Sequence, residues 1–402
     1  TTDIHSLATP VSAWVRRATS GKHLAEDMAE AIAASRSTGG QVATLIIPAD
    51  YQAEEGGGPV DAHTPIRAAQ PDSARVEEVA RRARDARTTA LLLGGTALGE
   101  SGLRAAARVA ASSRAVLLGE TFPARVERGA GLPVVERLPY FPEQAVEALS
   151  GFELVILAGA KEPVAFFAYE GAPSRLAPQE ALLELAGPEE DSVAALESLA
   201  DALGAAPDAG QCASRSLPAP PTGRLNPASI GAALARALPE NAIVVDEAAT
   251  SGLPFYPASV GAARHTLLSL TGGAIGQGLP CASGAALACP DRKVIAFQAD
   301  GSAQYTLQSL WTQARENLNV LTLLCSNRSY RILLVELGRA GIVEPGPQAR
   351  ALTSLADPEL DWVALARGYG VPGERIESAE ELAASLPRAL AEPGPRLLEL
   401  ML

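Results

Sequence analysis

Asp300, Gly301 and Ser302, together with Asn327 and Ser329, are the residues whose types could combine metal and phosphate chemistry. Asp300 offers a hard carboxylate oxygen, Asn327 a neutral amide oxygen, and the backbone carbonyl at Ser329 a third ligand. Magnesium takes oxygen ligands in an octahedron, one or two from protein carboxylates and the rest from phosphate and water. The N–H groups of Gly301 and Ser302 open an expected helix, so the positive end of its dipole would face an anion. A metal-bridged diphosphate is the ligand that uses all of these groups at once.

The elements around these residues decide whether they can meet. Lys293–Gln298 is a short apolar run between Pro290-Asp291 and Asp300-Gly301, which predicts a buried strand. Ser302 stands where a helix is capped, and Leu307, Leu310, Trp311 and Ala314 follow at helical spacing. Val320–Cys325 is a second buried-type strand, ended by Asn327-Arg328-Ser329. Two parallel strands joined by a helix put Asp300 and Asn327 at one edge of a sheet, the edge where open α/β sheets bind ligands. Upstream, Thr271–Pro280 carries glycines at 272, 273, 276 and 278 before an Ala-rich helix, and such backbone can approach a flat ligand closely. The strand AIVVDEAATSG brings Glu247, Ala249 and Thr250 to the same edge; a solvated turn at Asp246-Glu247 is the alternative, and the sequence leaves both open.

Asp-Gly-Ser at 300–302 with Asn327, continued through SAQYTLQSLWTQARENL, resembles the diphosphate-anchoring motif of thiamine diphosphate enzymes, in particular the acetolactate synthase and benzoylformate decarboxylase branch. The family has Gly before the Asp where this chain has Ala299, so the turn must be one that a β-carbon permits. The resemblance covers the whole chain, strongly over 225–345 and weakly over 73–205. It implies α/β domains: three-layer parallel-sheet domains of the thiamine diphosphate-binding type with a nucleotide-fold-like central domain. It also implies metal ligation by Asp300, Asn327 and Ser329, with Glu247, Ala249, Thr250, Gly273, Ile275, Gly301, Ser302 and Tyr330 binding the cofactor. In that reading the Gly273 carbonyl accepts the aminopyrimidine N–H and Ile275 is the apolar wedge that holds the cofactor bent. Residues 331–341 form a helix over the site. The implied activity is magnesium-dependent decarboxylation of a 2-oxo acid such as pyruvate with carboligation, by a homodimer or homotetramer. The alternative on the same scaffold is decarboxylation without ligation.

In chain order, 1–50 resembles the C-terminal remnant of the family's pyrimidine-binding domain: a helix-like, Pro10-led amphipathic segment with Val11, Trp14 and Val15, a second helix over 23–36, then the strand QVATLIIPAD. The chain opens on Thr, which suggests processing or a late start. The family's activating glutamate belongs near the beginning of that domain, and no acidic residue in 1–50 has the matching context. A third reading therefore stands beside the two enzymatic ones, a catalytically silent cofactor-binding subunit. Residues 51–72 read as a linker, 73–205 as the central α/β domain, 206–223 as a Pro-rich linker and 224–402 as the diphosphate-binding domain. The turn Gly94–Gly99 follows a strand but departs from G-x-G-x-x-G, so a plain turn is preferred over FAD binding. Arg137–Pro142 lacks the histidine that the benzoylformate decarboxylases carry in the comparable segment, which lowers that reading.

Composition bounds the rest. At 402 residues, two to three domains are expected, and a net charge of −13 argues against nucleic acid or anionic membrane as partner. Four cysteines without a CxxC pair read as free thiols in a reducing cytoplasm. No apolar run is long enough to span a bilayer.

Overall fold

A computed structural model describes residues 2–402; Thr1 lies outside the described residues. Its strands are β1 (Trp14–Arg17), β2 (Ala43–Ile46), β3 (Thr89–Leu93), β4 (Val116–Gly119), β5 (Val126–Arg128), β6 (Glu136–Arg137) and β7 (Leu154–Ala158). β8 (Leu182–Ala186), β9 (Ala242–Glu247), β10 (His265–Ser269), β11 (Val294–Ala299), β12 (Val320–Ser326), β13 (Gly373–Ile376) and β14 (Arg396–Met401) complete the set. The chain divides into two compact units. One takes in the chain up to Ala97, Ser101–Glu120 and Arg137–Gly210; the other takes in Leu98–Glu100, Thr121–Glu136 and Gln211–Leu402.

In the first unit, β1 and β2 pair in parallel and a five-stranded sheet runs β6-β4-β3-β7-β8. The first strand of that sheet, β3, sits centrally, with β4 and β7 parallel on either side. All five residues of β3 and of β7 are buried, as a strand covered on both faces requires. One expectation fails here. Trp14 and Val15 lie on a strand rather than an amphipathic helix, with Trp14 opposite Ala43. A four-residue strand is too short for its alternation to be told from a helical pattern.

The second unit is built on a seven-stranded sheet, β13-β14-β12-β11-β9-β10-β5. Its pairs are parallel except β5 on β10, where Arg128 lies opposite His265. After β10 the chain crosses back over β9 to lay down β11 and then β12, so the switch point of the sheet falls between β9 and β11. β11 and β12 are buried at every residue. Ile243, Val245, Val294, Ala296, Val320 and Leu324 pack with Leu279, Leu310 and Trp362 into one core. At roughly 1.5–3 kcal/mol per buried large aliphatic or aromatic side chain, this core holds the strand ends rigid.

The helix expected after Asp300 is interrupted. Asp300–Ala303 forms one turn, and helix resumes over Ser309–Arg315. Ala299 holds the N-cap position without a side-chain cap bond, so Ser302 lies inside the first turn and does not cap it. Trp311, expected on the packed face, is 51% exposed with the Arg315 guanidinium over its ring. Two short pieces sum to a smaller dipole than one long helix.

Candidate functional site

The C-terminal ends of β9, β11 and β12 deliver Glu247, Asp300 and Asn327 to one edge of the second unit's sheet. Ala299 is paired with Cys325 in the parallel register, so Asp300 and the Asn327 turn leave the sheet at the same level. Asp300 is 2% exposed. Its Oδ1 accepts the Gly301 N–H at 2.8 Å and its Oδ2 the Arg328 N–H at 2.6 Å. Burial pushes its pKa up to about 6, against the pull of those backbone N–H groups. Arg328 reaches back only because its φ is +55°, a left-handed conformation that costs a non-glycine residue about 1 kcal/mol.

The Asn327 turn is braced from behind. Asn327 Oδ1 accepts the Ser329 N–H at 2.9 Å. Leu355 N–H donates to the Arg328 carbonyl at 2.8 Å and Tyr330 N–H to the Thr353 carbonyl at 2.9 Å. Ser329 Oγ donates to the same Thr353 carbonyl. The Gly301 side of the site is shaped by Tyr330: a β-carbon at 301 would lie 2.6 Å from its ring. Burial raises the Tyr330 phenol pKa, and the nearby Tyr305 adds to the rise.

The glycine run forms the third wall. Gly272 and Gly273 have φ of +64° and +67° with open space where a β-carbon would point, so backbone conformation rather than crowding demands glycine there. Gly276 is different: a β-carbon would meet Tyr305 Cβ at 2.7 Å. Thr306 Oγ1 donates to the Gly276 carbonyl at 2.7 Å. Ile275 is half-buried on this loop. Ala249 and Thr250 lie on the 3-10 turn Ala249–Ser251 after β9, Ala249 exposed with φ of +49°. The helix Arg331–Arg339 packs on the same turn.

Tyr305, Thr306 and Tyr330 thus tie Gly276, Gly301, Asp300 and the Asn327 turn into one neighbourhood. Glu247 reaches the expected sheet edge, but its side chain turns to the glycine loop. It is 1% exposed, so it is no solvated turn, and its carboxylate is spent beneath the glycine loop. Oε1 accepts the Gly276 and Gln277 N–H groups at 2.8 and 3.1 Å, and Oε2 the Gly278 N–H at 3.0 Å. Burial raises its pKa while these backbone donors hold it back. Gln298, Tyr305 and Thr306 are not singled out by the sequence. The cross-strand pairing of Gln298 with Glu247, which no local pattern announces, is the signal for the first of them.

The donor types suit a hard divalent cation: Asp300 is a buried carboxylate that backbone amides only partly compensate, and its Oδ2 is tied to the turn that carries Asn327 and Ser329. The bare, positive-φ backbone at Gly272-Gly273 fits close approach by a flat ring. At the switch point of the five-stranded sheet, by contrast, chain meets chain. A β-carbon at Gly94 would lie 2.6 Å from the Gly159 carbonyl, and the Thr96 and Ser192 hydroxyls pair at 2.8 Å. Among the described residues no helix is long and apolar enough to cross a membrane. All four cysteines are free thiols.

Residues 255–400 match the family model "Thiamine pyrophosphate enzyme, C-terminal TPP binding domain". The chain is 45% identical to the Mycobacterium tuberculosis protein named "Putative acetolactate synthase large subunit IlvX", across 99% of this chain and 77% of that one. It is 34% identical to the benzoylformate decarboxylase of Pseudomonas aeruginosa over 46% of this chain and 34% of that protein. Among solved structures, the thiamine diphosphate-dependent 4-hydroxybenzoylformate decarboxylase of Rhodococcus jostii RHA1 superposes with a TM-score of 0.80 at 24% identity, covering 100% of this chain and 78% of the other. That likeness establishes the fold. With the identity shared along nearly its whole length, the chain belongs to the thiamine pyrophosphate-dependent enzymes, and is acetolactate synthase large subunit-like in sequence.

Proposed function

We propose that this chain binds thiamine diphosphate through magnesium and decarboxylates a 2-oxo acid with carboligation, in the manner of an acetolactate synthase. The observation that carries the reading is the buried Asp300 carboxylate beside the Asn327 turn at the switch point of the sheet. Asp300, Asn327 and the Ser329 carbonyl would hold the magnesium. Ser302 and Thr250 would border the diphosphate, with Ala249, Gly301 and Tyr330 shaping its seat, while Gly273 and Ile275 would face the aminopyrimidine. Bound thiamine diphosphate supplies the electron sink for losing carbon dioxide and transferring the remaining carbon. Pyruvate is the substrate to try first. The assembly proposed is a homodimer or homotetramer in the cytoplasm.

Titration calorimetry with thiamine diphosphate, with and without magnesium, tests the site. Binding should require the metal and vanish in Asp300→Ala; a variant that still binds tightly overturns the assignment. The similarity to benzoylformate decarboxylase over the C-terminal part favours a second reading, release of an aldehyde without ligation. Acetolactate formed from pyruvate supports the first, and free aldehyde as the sole product supports the second.

A further inference from the structure

Glu247 carries an interaction pattern that the cofactor reading does not use. It ends β9, and Gln298 opposite it on β11 lies on the same face of the sheet. The three N–H groups that Glu247 accepts belong to Gly276, Gln277 and Gly278, where the helix Gly278–Ala288 begins. A helix start of this length is an anion seat. Here the anion is the protein's own carboxylate, reached from below. The fit is close: a β-carbon at Gly278 would lie 1.9 Å from Gln298 Nε2 and 2.7 Å from Glu247 Oε2. From the side, Thr306 Oγ1 bonds the Gly276 carbonyl and Gln277 Nε2 the Ser269 carbonyl. The segment just before these anchors, Gly272–Ile275, has open space at both of its leading glycines.

We infer that Glu247 is a positioning residue: it fastens Gly276–Gly278 to the sheet so that Gly272–Ile275 presents a fixed backbone to the ring end of the cofactor, while the diphosphate end is held independently at Asp300. This rests on the proposed cofactor site. It separates two functions of one pocket. Charge-assisted bonds to a carboxylate are stronger than neutral ones, and an amide in its place turns an N–H donor toward a backbone donor. Glu247→Gln therefore loosens the loop without touching Asp300 or Asn327.

The full chain, Glu247→Gln and, as a second route to the same loop, Thr306→Val are compared by two measurements. Hydrogen–deuterium exchange without any ligand should show faster exchange over 271–278 in both variants, with β11 and β12 still protected. Calorimetry with magnesium should show thiamine diphosphate affinity falling about tenfold or more, while inorganic diphosphate binds within about twofold of the unsubstituted chain. Unchanged exchange over 271–278 overturns the inference whatever the cofactor does. Equal loss of both ligands overturns it too, since it makes Glu247 part of the diphosphate seat or of the fold at large. If the unsubstituted chain binds neither ligand with magnesium, the cofactor reading falls; if it binds both and the variants match it, only the positioning role falls. Should Glu247→Gln not fold, Thr306→Val alone decides, by the same selective loss.

Discussion

His265 gives the sharpest test of the packing beneath the site, because its charge state is coupled to the stability of the unit that carries Asp300. The ring sits on β10, 1% exposed, with Nδ1 at 2.8 Å from the Ala263 carbonyl and Nε2 without a hydrogen-bond partner. Phe255 packs at 5.9 Å, and the buried Arg128 guanidinium adds repulsion that Glu127 and the Ala263 carbonyl only partly offset. Burial is the leading cause of a pKa lowered from 6.5 to about 4. The folded state therefore binds this proton later than the unfolded state does as pH falls. Its contribution to stability is fully present above pH 6.5 and is lost as pH drops toward 4. Each pH unit crossed between those two values removes about 1.4 kcal/mol, so the whole loss is roughly 3 kcal/mol. His265→Asn keeps an N–H near the Ala263 carbonyl and removes the titration; the cavity it leaves costs the same at every pH. Urea unfolding followed by tryptophan fluorescence, at half-unit steps from pH 7 to 4.5, should show the gap between the two proteins narrowing by roughly 2 kcal/mol or more. A gap that stays constant over that range refutes the burial argument for His265.

Two further substitutions probe the site and its support. Gly301→Ala places a methyl 2.6 Å from the Tyr330 ring; overpacking of this kind costs about 1–3 kcal/mol, so the melting temperature should fall and magnesium-dependent binding of thiamine diphosphate should weaken in calorimetry, whereas unchanged affinity would show that Tyr330 can move away freely. Phe297→Ala removes a fully buried ring from β11 and should destabilise the unit by about 3–5 kcal/mol in urea titration.

The parts of the fold that the sequence discloses are those whose signal is local and repeated. Val294–Ala299 and Val320–Ser326 are apolar at nearly every position because both faces of those strands are covered, and the polar residues that follow them are the ones placed at the sheet edge. Asp300 and Asn327 are legible for that reason. What escapes depends on partners distant in the chain. The three residues of β5 have no pattern of their own and become a strand only against His265–Leu267. Ser302 looks like a cap because its residue type fits, yet the helix begins two residues earlier. Glu247 stands out by its place at a strand end, but the direction of its carboxylate follows from how β9 and β11 lie side by side.

The pairing of β5 with β10 also bears on how this polypeptide is made and how it can be dissected. Residues 126–128 leave the ribosome long before the strand they complete, and much of the other unit's five-stranded sheet is synthesised in that interval. Until His265–Ser269 emerges, Val126–Arg128 has no seat, and until it is seated β10 presents unpaired N–H and C=O groups at the rim of a sheet short of its seventh strand. Bare rims of that kind recruit other chains. A fragment cut at the proline-rich stretch before Arg224 would keep every residue of the proposed cofactor site and still expose that rim, so it should self-associate beyond the dimer or tetramer proposed for the intact polypeptide.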